Sequence, residues 1–145
     1  MAGINLQKDQ LYALDTVTFI YFLEQHPRYY PAAKDIFTQI ESGRIAATCS
    51  TLIFAELLVP LFKTKETGKA DKLTHILSNF PHLSIQPITS EISIDAAKLR
   101  ADYGFRTPDA IHLASALRAK ARSFITNDKN LQKMTTPGFC IELFG

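Results

Sequence analysis

Apolar and polar positions along the chain alternate between two periods. Short runs of strand length occur at Leu11–Leu14, Ile45–Cys49, Leu83–Ile88, Ser123–Thr126 and Phe139–Phe144. The first reads as a buried strand, and Leu83–Ile88 alternates apolar with polar residues. Between them the spacing turns helical. Thr16–Gln25 carries Phe19, Ile20, Phe22 and Leu23 and stops at Pro27, and 31–42 places Ala33, Ile36, Phe37 and Ile40 on one side with Gly43 as its stop. Ser50 or Thr51 is placed to cap a helix through Phe62, which Pro60 bends or ends early. Gly68–Phe80 is a further helix, closed by Pro81. Thr89 or Ser90 caps a helix bearing Ile92, Ala96, Leu99 and Tyr103, with Gly104 just past its end. Thr107 as cap and Pro108 in the first position start another, striped by Ala110, Leu113, Ala114 and Leu117, and Lys129–Met134 makes a last short helix. Strands alternating with helices predict an α/β fold, a parallel sheet covered on both faces.

At 145 residues the chain is expected to form one domain, residues 1–145, with an apolar fraction of 46% that is ordinary for a globular protein. The first ten residues hold no apolar run of the kind a secretory leader needs, so a cytoplasmic location is expected. The longest apolar stretch, Thr51–Phe62, is broken by Glu56 and falls short of the roughly 20 residues that cross a bilayer, so no membrane association is expected. Two cysteines, Cys49 and Cys140, make neither a disulfide framework nor a zinc site; both read as small buried residues.

Four acidic residues stand where a strand hands over to a helix or a helix begins: Asp15, Glu56, Asp109 and Asp128. A carboxylate attached to an apolar strand is costly to bury unpaired and needs a compensating partner. In an open parallel sheet, ligands bind beyond the carboxyl ends of the strands, where strand order reverses. Asp15 ends the first strand, Asp128 follows the fourth, and the helix that carries Asp109 begins at the same edge. Glu56 lies roughly 9 Å down its helix, within reach of that edge. Each acid also has a plainer explanation: Asp109 complements a helix dipole, and Asp128 caps the helix that starts at Lys129. Taken together they suit Mg²⁺ or Mn²⁺, which prefer hard oxygen ligands. One or two such ions would support phosphoryl chemistry, with a water made acidic by the cation as nucleophile. With those four acids set aside, sixteen basic residues face ten acidic ones, a surface suited to a polyanion. No Gly-rich phosphate loop, nucleophile elbow or cysteine–base pair offers another chemistry.

The segments Leu14-Asp-Thr, Phe54-Ala-Glu-Leu, Arg106-Thr-Pro-Asp-Ala-Ile-His-Leu-Ala and Phe124-Ile-Thr-Asn-Asp make the chain resemble a PIN domain, specifically the toxin ribonucleases of VapC type. The likeness covers nearly the whole chain; its last two segments are the most specific, and the part from Lys129 on is less diagnostic. It implies a three-layer fold with a five-stranded parallel sheet in order 3-2-1-4-5 flanked by helices. It implies a Mg²⁺- or Mn²⁺-dependent endoribonuclease that leaves a 5′-phosphate and a 3′-hydroxyl, a homodimer, and a small antitoxin protein as partner beside the RNA substrate. By the same likeness Asp15, Glu56, Asp109 and Asp128 are the catalytic acids. Asp15 and Asp109 would be the principal metal ligands with Asp128 beside them, and Glu56 would bind or orient the water. Thr126, and less so Thr16, would supply hydroxyls near the metal. A PIN nuclease in RNA processing and a non-catalytic interaction module are the competing readings. A receiver-domain phosphoacceptor fits poorly, because Thr16 and not a second acid follows Asp15.

Other residues stay outside the predicted site. His112, three after Asp109, is expected to pack in a helix interface, and His26, His75 and His82 have no partner at metal-ligand spacing. The Lys63, Lys65, Lys69 and Lys72 cluster fits an exposed helical face. Arg106, close to the predicted rim, ranks first among RNA-contact candidates.

Overall fold

The computed structural model describes residues 4–145; the first three residues of the stretch read above for a leader lie outside them. Five strands form one sheet: β1 (Leu11–Leu14), β2 (Ala46–Ser50), β3 (Leu83–Gln86), β4 (Ser123–Thr126) and β5 (Cys140–Leu143). Every pairing is parallel and the order is β3-β2-β1-β4-β5, as the resemblance implied. Successive side chains of a strand point to opposite faces. Tyr12 and Leu14 of β1 therefore join Ile125 in one core, while Ala13 joins Phe124 in the other.

The helices are α1 (Thr16–Leu23), α2 (Tyr30–Glu41), α3 (Leu52–Leu57), α4 (Val59–Lys63), α5 (Thr67–Ser78), α6 (Ser90–Tyr103) and α7 (Thr107–Arg118), with a 3-10 helix at Lys129–Lys133. The first core takes Phe19, Ile36, Ile40 and Ile53 from the helices of one layer, and the second takes Ile92, Ala96, Ala110 and Leu113 from α6 and α7. No described helix is long and apolar enough to cross a membrane.

Several boundaries differ from expectation for identifiable reasons. The helix foreseen from Thr51 to Phe62 is two, parted at Leu58, with Pro60 near the start of the second. Proline has no N–H to donate to the carbonyl four residues back, here that of Glu56, so the first helix ends just after the acid it carries. β3 stops at Gln86 because Pro87 cannot extend the ladder. Thr107 is the first helical residue of α7 and not its cap; extended Arg106 takes the cap position without a side-chain hydrogen bond, and Pro108 lies second. Of the cysteines, Cys49 is buried, its thiol pushed up to about 12 by desolvation, whereas Cys140 is exposed.

Candidate metal centre

β1 pairs with β2 on one side and β4 on the other, so strand order reverses there and a crevice opens beyond the carboxyl ends of β1 and β4. A cavity of about 230 Å³ occupies it, lined by Asp15, Val17, Tyr21, Thr126, Asn127 and Asp128.

Asp15 is held on both carboxylate oxygens. It caps α1, its Oδ1 accepting the Thr16 N–H at 2.8 Å, and its Oδ2 accepts the Thr126 hydroxyl at 2.7 Å. Both donors are buried threonines. Each threonine also reaches a second acid. The Thr126 hydroxyl oxygen accepts the backbone N–H of Asp128 at 3.2 Å, and the Thr16 hydroxyl donates to Glu56 Oε1 at 2.6 Å. Glu56, Asp15 and Asp128 are thus strung together through Thr16 and Thr126. Asp128 caps the 3-10 helix as well, accepting the Asn130 N–H at 2.9 Å. Asp109, in the first turn of α7, is buried and accepts from Arg106 Nε at 3.2 Å, while Arg106 itself is 80% exposed.

Burial raises the Asp15 pKa above its ordinary 3.8, and the negative charge of Asp109 adds to the effect; His112, Thr126 and the Thr16 N–H partly oppose it. Glu56 moves the other way, held below its ordinary 4.5 first by a hydrogen bond from His112. Asp109 alone of the four acids has an arginine or lysine in ion-pair range among the described residues.

The donor set, carboxylate oxygens with threonine hydroxyls and no thiol, suits a hard divalent cation. A part-buried carboxylate at the crevice, Asp15, with the negative charge of Asp109 acting on it and no arginine or lysine among the described residues in ion-pair range, is the observation that best fits such an ion. Among the described residues, however, no three Asp, Glu, His or Cys side chains are spaced to hold one ion together. Thr16 joins the Asp15 and Glu56 carboxylates, Thr126 joins the Asp15 carboxylate to the backbone of Asp128, and Asp109 is held by Arg106. The single cluster expected from the sequence is therefore not closed in this arrangement.

His112 occupies a position the sequence reading did not give it. It is buried and packs on the Phe124 ring as a helix-interface residue should, with ring centroids 6.4 Å apart. Its Nε2 also lies 2.7 Å from Glu56 Oε1 and 4.0 Å from Asp15 Oδ1. The signal available was its three-residue spacing from Asp109, which puts both on one side of α7.

A PIN domain family model matches residues 12–136, and the chain belongs to the PIN domain family. No curated protein sequence matches it significantly. Among solved structures it is similar to VapBC2 from Rickettsia felis bound to a promoter DNA fragment, at 20% identity and TM-score 0.67, over 93% of this chain and 99% of that one. It is also similar to a chain of a toxin–antitoxin complex from Klebsiella pneumoniae, at 24% identity and TM-score 0.63, over 88% and 94%. DNA-bound VapBC from Salmonella typhimurium follows at 18% identity and TM-score 0.66, over 94% and 99%.

Proposed function

We propose that the chain is a VapC-type toxin: a cytoplasmic, single-domain, homodimeric endoribonuclease that depends on Mg²⁺ or Mn²⁺ and is silenced by a small antitoxin protein. The observation that carries this reading is the acidic crevice of a PIN domain, where Asp15 is tied to Asp128 through Thr126 and to Glu56 through Thr16. The toxin–antitoxin complexes among its structural neighbours support the toxin role and the antitoxin partner.

In this reading Asp15, Asp109 and Asp128 hold the ion. When bound, it would offset their mutual repulsion, polarise a phosphodiester and acidify a water. The protein's own groups do the rest. Thr126 and the Thr16 N–H fix both oxygens of Asp15. Glu56 engages Thr16 and His112 through Oε1, which leaves Oε2 without a protein donor among the described residues and able to orient the attacking water. Arg106, exposed beside Asp109, supplies a phosphate contact. An apolar groove of about 440 Å³ with Leu23, Leu57, Leu61 and Leu73 on its walls and Glu56 at its margin suits an antitoxin segment.

Purified, partner-free protein incubated with total RNA should cut it with Mg²⁺ or Mn²⁺, leave 5′-phosphate ends, and stop with chelator. Cleavage unaffected by chelator would overturn the proposal. Growth arrest on expression, relieved by co-expressing a small protein encoded beside it, is the result that marks a toxin; cleavage without arrest would assign the nuclease to RNA processing.

A further inference from the structure

His112 is a buried polar group on α7, where Asp109, Ala110, Leu113, Ala114, Ser115 and Ala116 are buried as well. Packing alone does not require an imidazole there, since burying a polar ring is unfavourable unless it is hydrogen-bonded. The ring has one set of polar partners, all at the acidic crevice. Nε2 lies 2.7 Å from Glu56 Oε1 and 3.3 Å from the Thr16 hydroxyl oxygen, while Nδ1 is buried with no partner. A carboxylate oxygen accepts and does not donate, so the short contact needs a proton on Nε2; a proton on Nδ1 would have no acceptor. The short contact thus has Nε2–H donating to Glu56.

Glu56 needs such help. It stands near the end of a six-residue helix, and its side chain is 36% exposed, against 2% for His112. A free glutamate there would sample several rotamers. Two donors from different parts of the chain, Thr16 on α1 and His112 on α7, converge on one oxygen and fix the carboxylate. The Phe124 ring on β4 fixes the imidazole in turn.

We infer that His112 is a positioning residue of the nuclease site, which locks Glu56 in its working orientation by donating from Nε2 to Oε1. This rests on the nuclease reading for its kinetic consequence and on the geometry alone for its tautomer. A polar partner that orients a working group in this way is typically worth about 10- to 100-fold in activity.

The test uses the full chain and three substitutions. With a short RNA and Mg²⁺, His112→Leu should lower kcat by about 10-fold or more with little change in KM. His112→Gln, whose amide N–H can occupy the Nε2 position, should recover most of that loss. Placed in a Glu56→Gln background, His112→Leu should add little, because the group it positions is already disabled. Independently of activity, ¹⁵N NMR of the metal-free, partner-free protein should show Nε2 protonated. Wild-type kcat in His112→Leu, full additivity with Glu56→Gln, or an Nε2 without a proton would overturn the inference. If His112→Leu does not fold, the glutamine variant and the tautomer still decide it. A wild-type protein that cuts no RNA in any divalent cation would instead sink the nuclease reading, while the tautomer would continue to test the geometry.

Discussion

At the scale of single residues the molecule is governed by what happens to Asp15. Burial raises its pKa above the ordinary 3.8, so the folded, metal-free chain keeps that proton to a higher pH than the unfolded chain does. Its contribution therefore favours folding at low pH and is lost as pH rises from 3.8 through the elevated value. Glu56 has the opposite sign: lowered below 4.5, first by the hydrogen bond from His112, it contributes stability above 4.5 that is lost as pH falls through the lowered value. Replacing Asp15 by Asn keeps the oxygen that caps α1 and removes the unfavourable charge. Asp15→Asn should thus melt higher than wild type at pH 7 without metal. The gap should narrow when Mg²⁺ is added. A lower melting temperature without metal would show that the Asp15 charge is already well accommodated. Asp15, Asp109 and Asp128 stand out in the sequence at a strand end or a helix start, and Glu56 inside an apolar helix, because an acid next to an apolar run is conspicuous. The role of His112 does not: a helix histidine reads as packing until the distance to Glu56, 56 positions away in sequence, is known.

At the scale of elements, local rules placed most boundaries. β4 spans Ser123–Thr126 as read, and Thr89 caps α6 with its hydroxyl on the Ile92 N–H, while Gly104 ends it in the left-handed conformation at φ 70°. A Cβ at Gly104 would meet open space, so only backbone strain opposes a side chain there. Gly104→Ala is expected to destabilise by about 1–2 kcal/mol, and Thr89→Ala by about 1 kcal/mol through loss of the cap. Urea denaturation midpoints would check both, and an unchanged midpoint in Gly104→Ala would contradict the strain argument. Where local reading failed, two local rules competed. Thr107-Pro108 looks like cap and first turn, yet extended Arg106 already serves as the cap residue. Pro60 does end the helix early, as expected: the chain parts at Leu58 and restarts with Pro60 inside the new first turn, where its missing N–H matters least.

At the scale of the whole molecule, the two cores exist because β1 and β4, buried on both faces, send alternate side chains to opposite layers. The α/β class followed from the alternation of elements, whereas the strand order 3-2-1-4-5 came from the resemblance; periodicity carries no information on which strands become neighbours. That order places Asp15 and Asp128 at one crevice although they lie 113 positions apart in the sequence. That all four acids point to one rim was read from the same topology; among the described residues no three of them are spaced to hold one ion together, and motif spacing does not encode side-chain positions at that scale.

The central claim, that these carboxylates form a divalent-cation site, is tested most directly by calorimetric titration of Mn²⁺ into the partner-free protein and its Asp15→Asn and Asp109→Asn variants. Saturable binding to wild type that is lost or strongly weakened in both folded variants is the predicted result. No binding to wild type, or equal binding in all three, would contradict it.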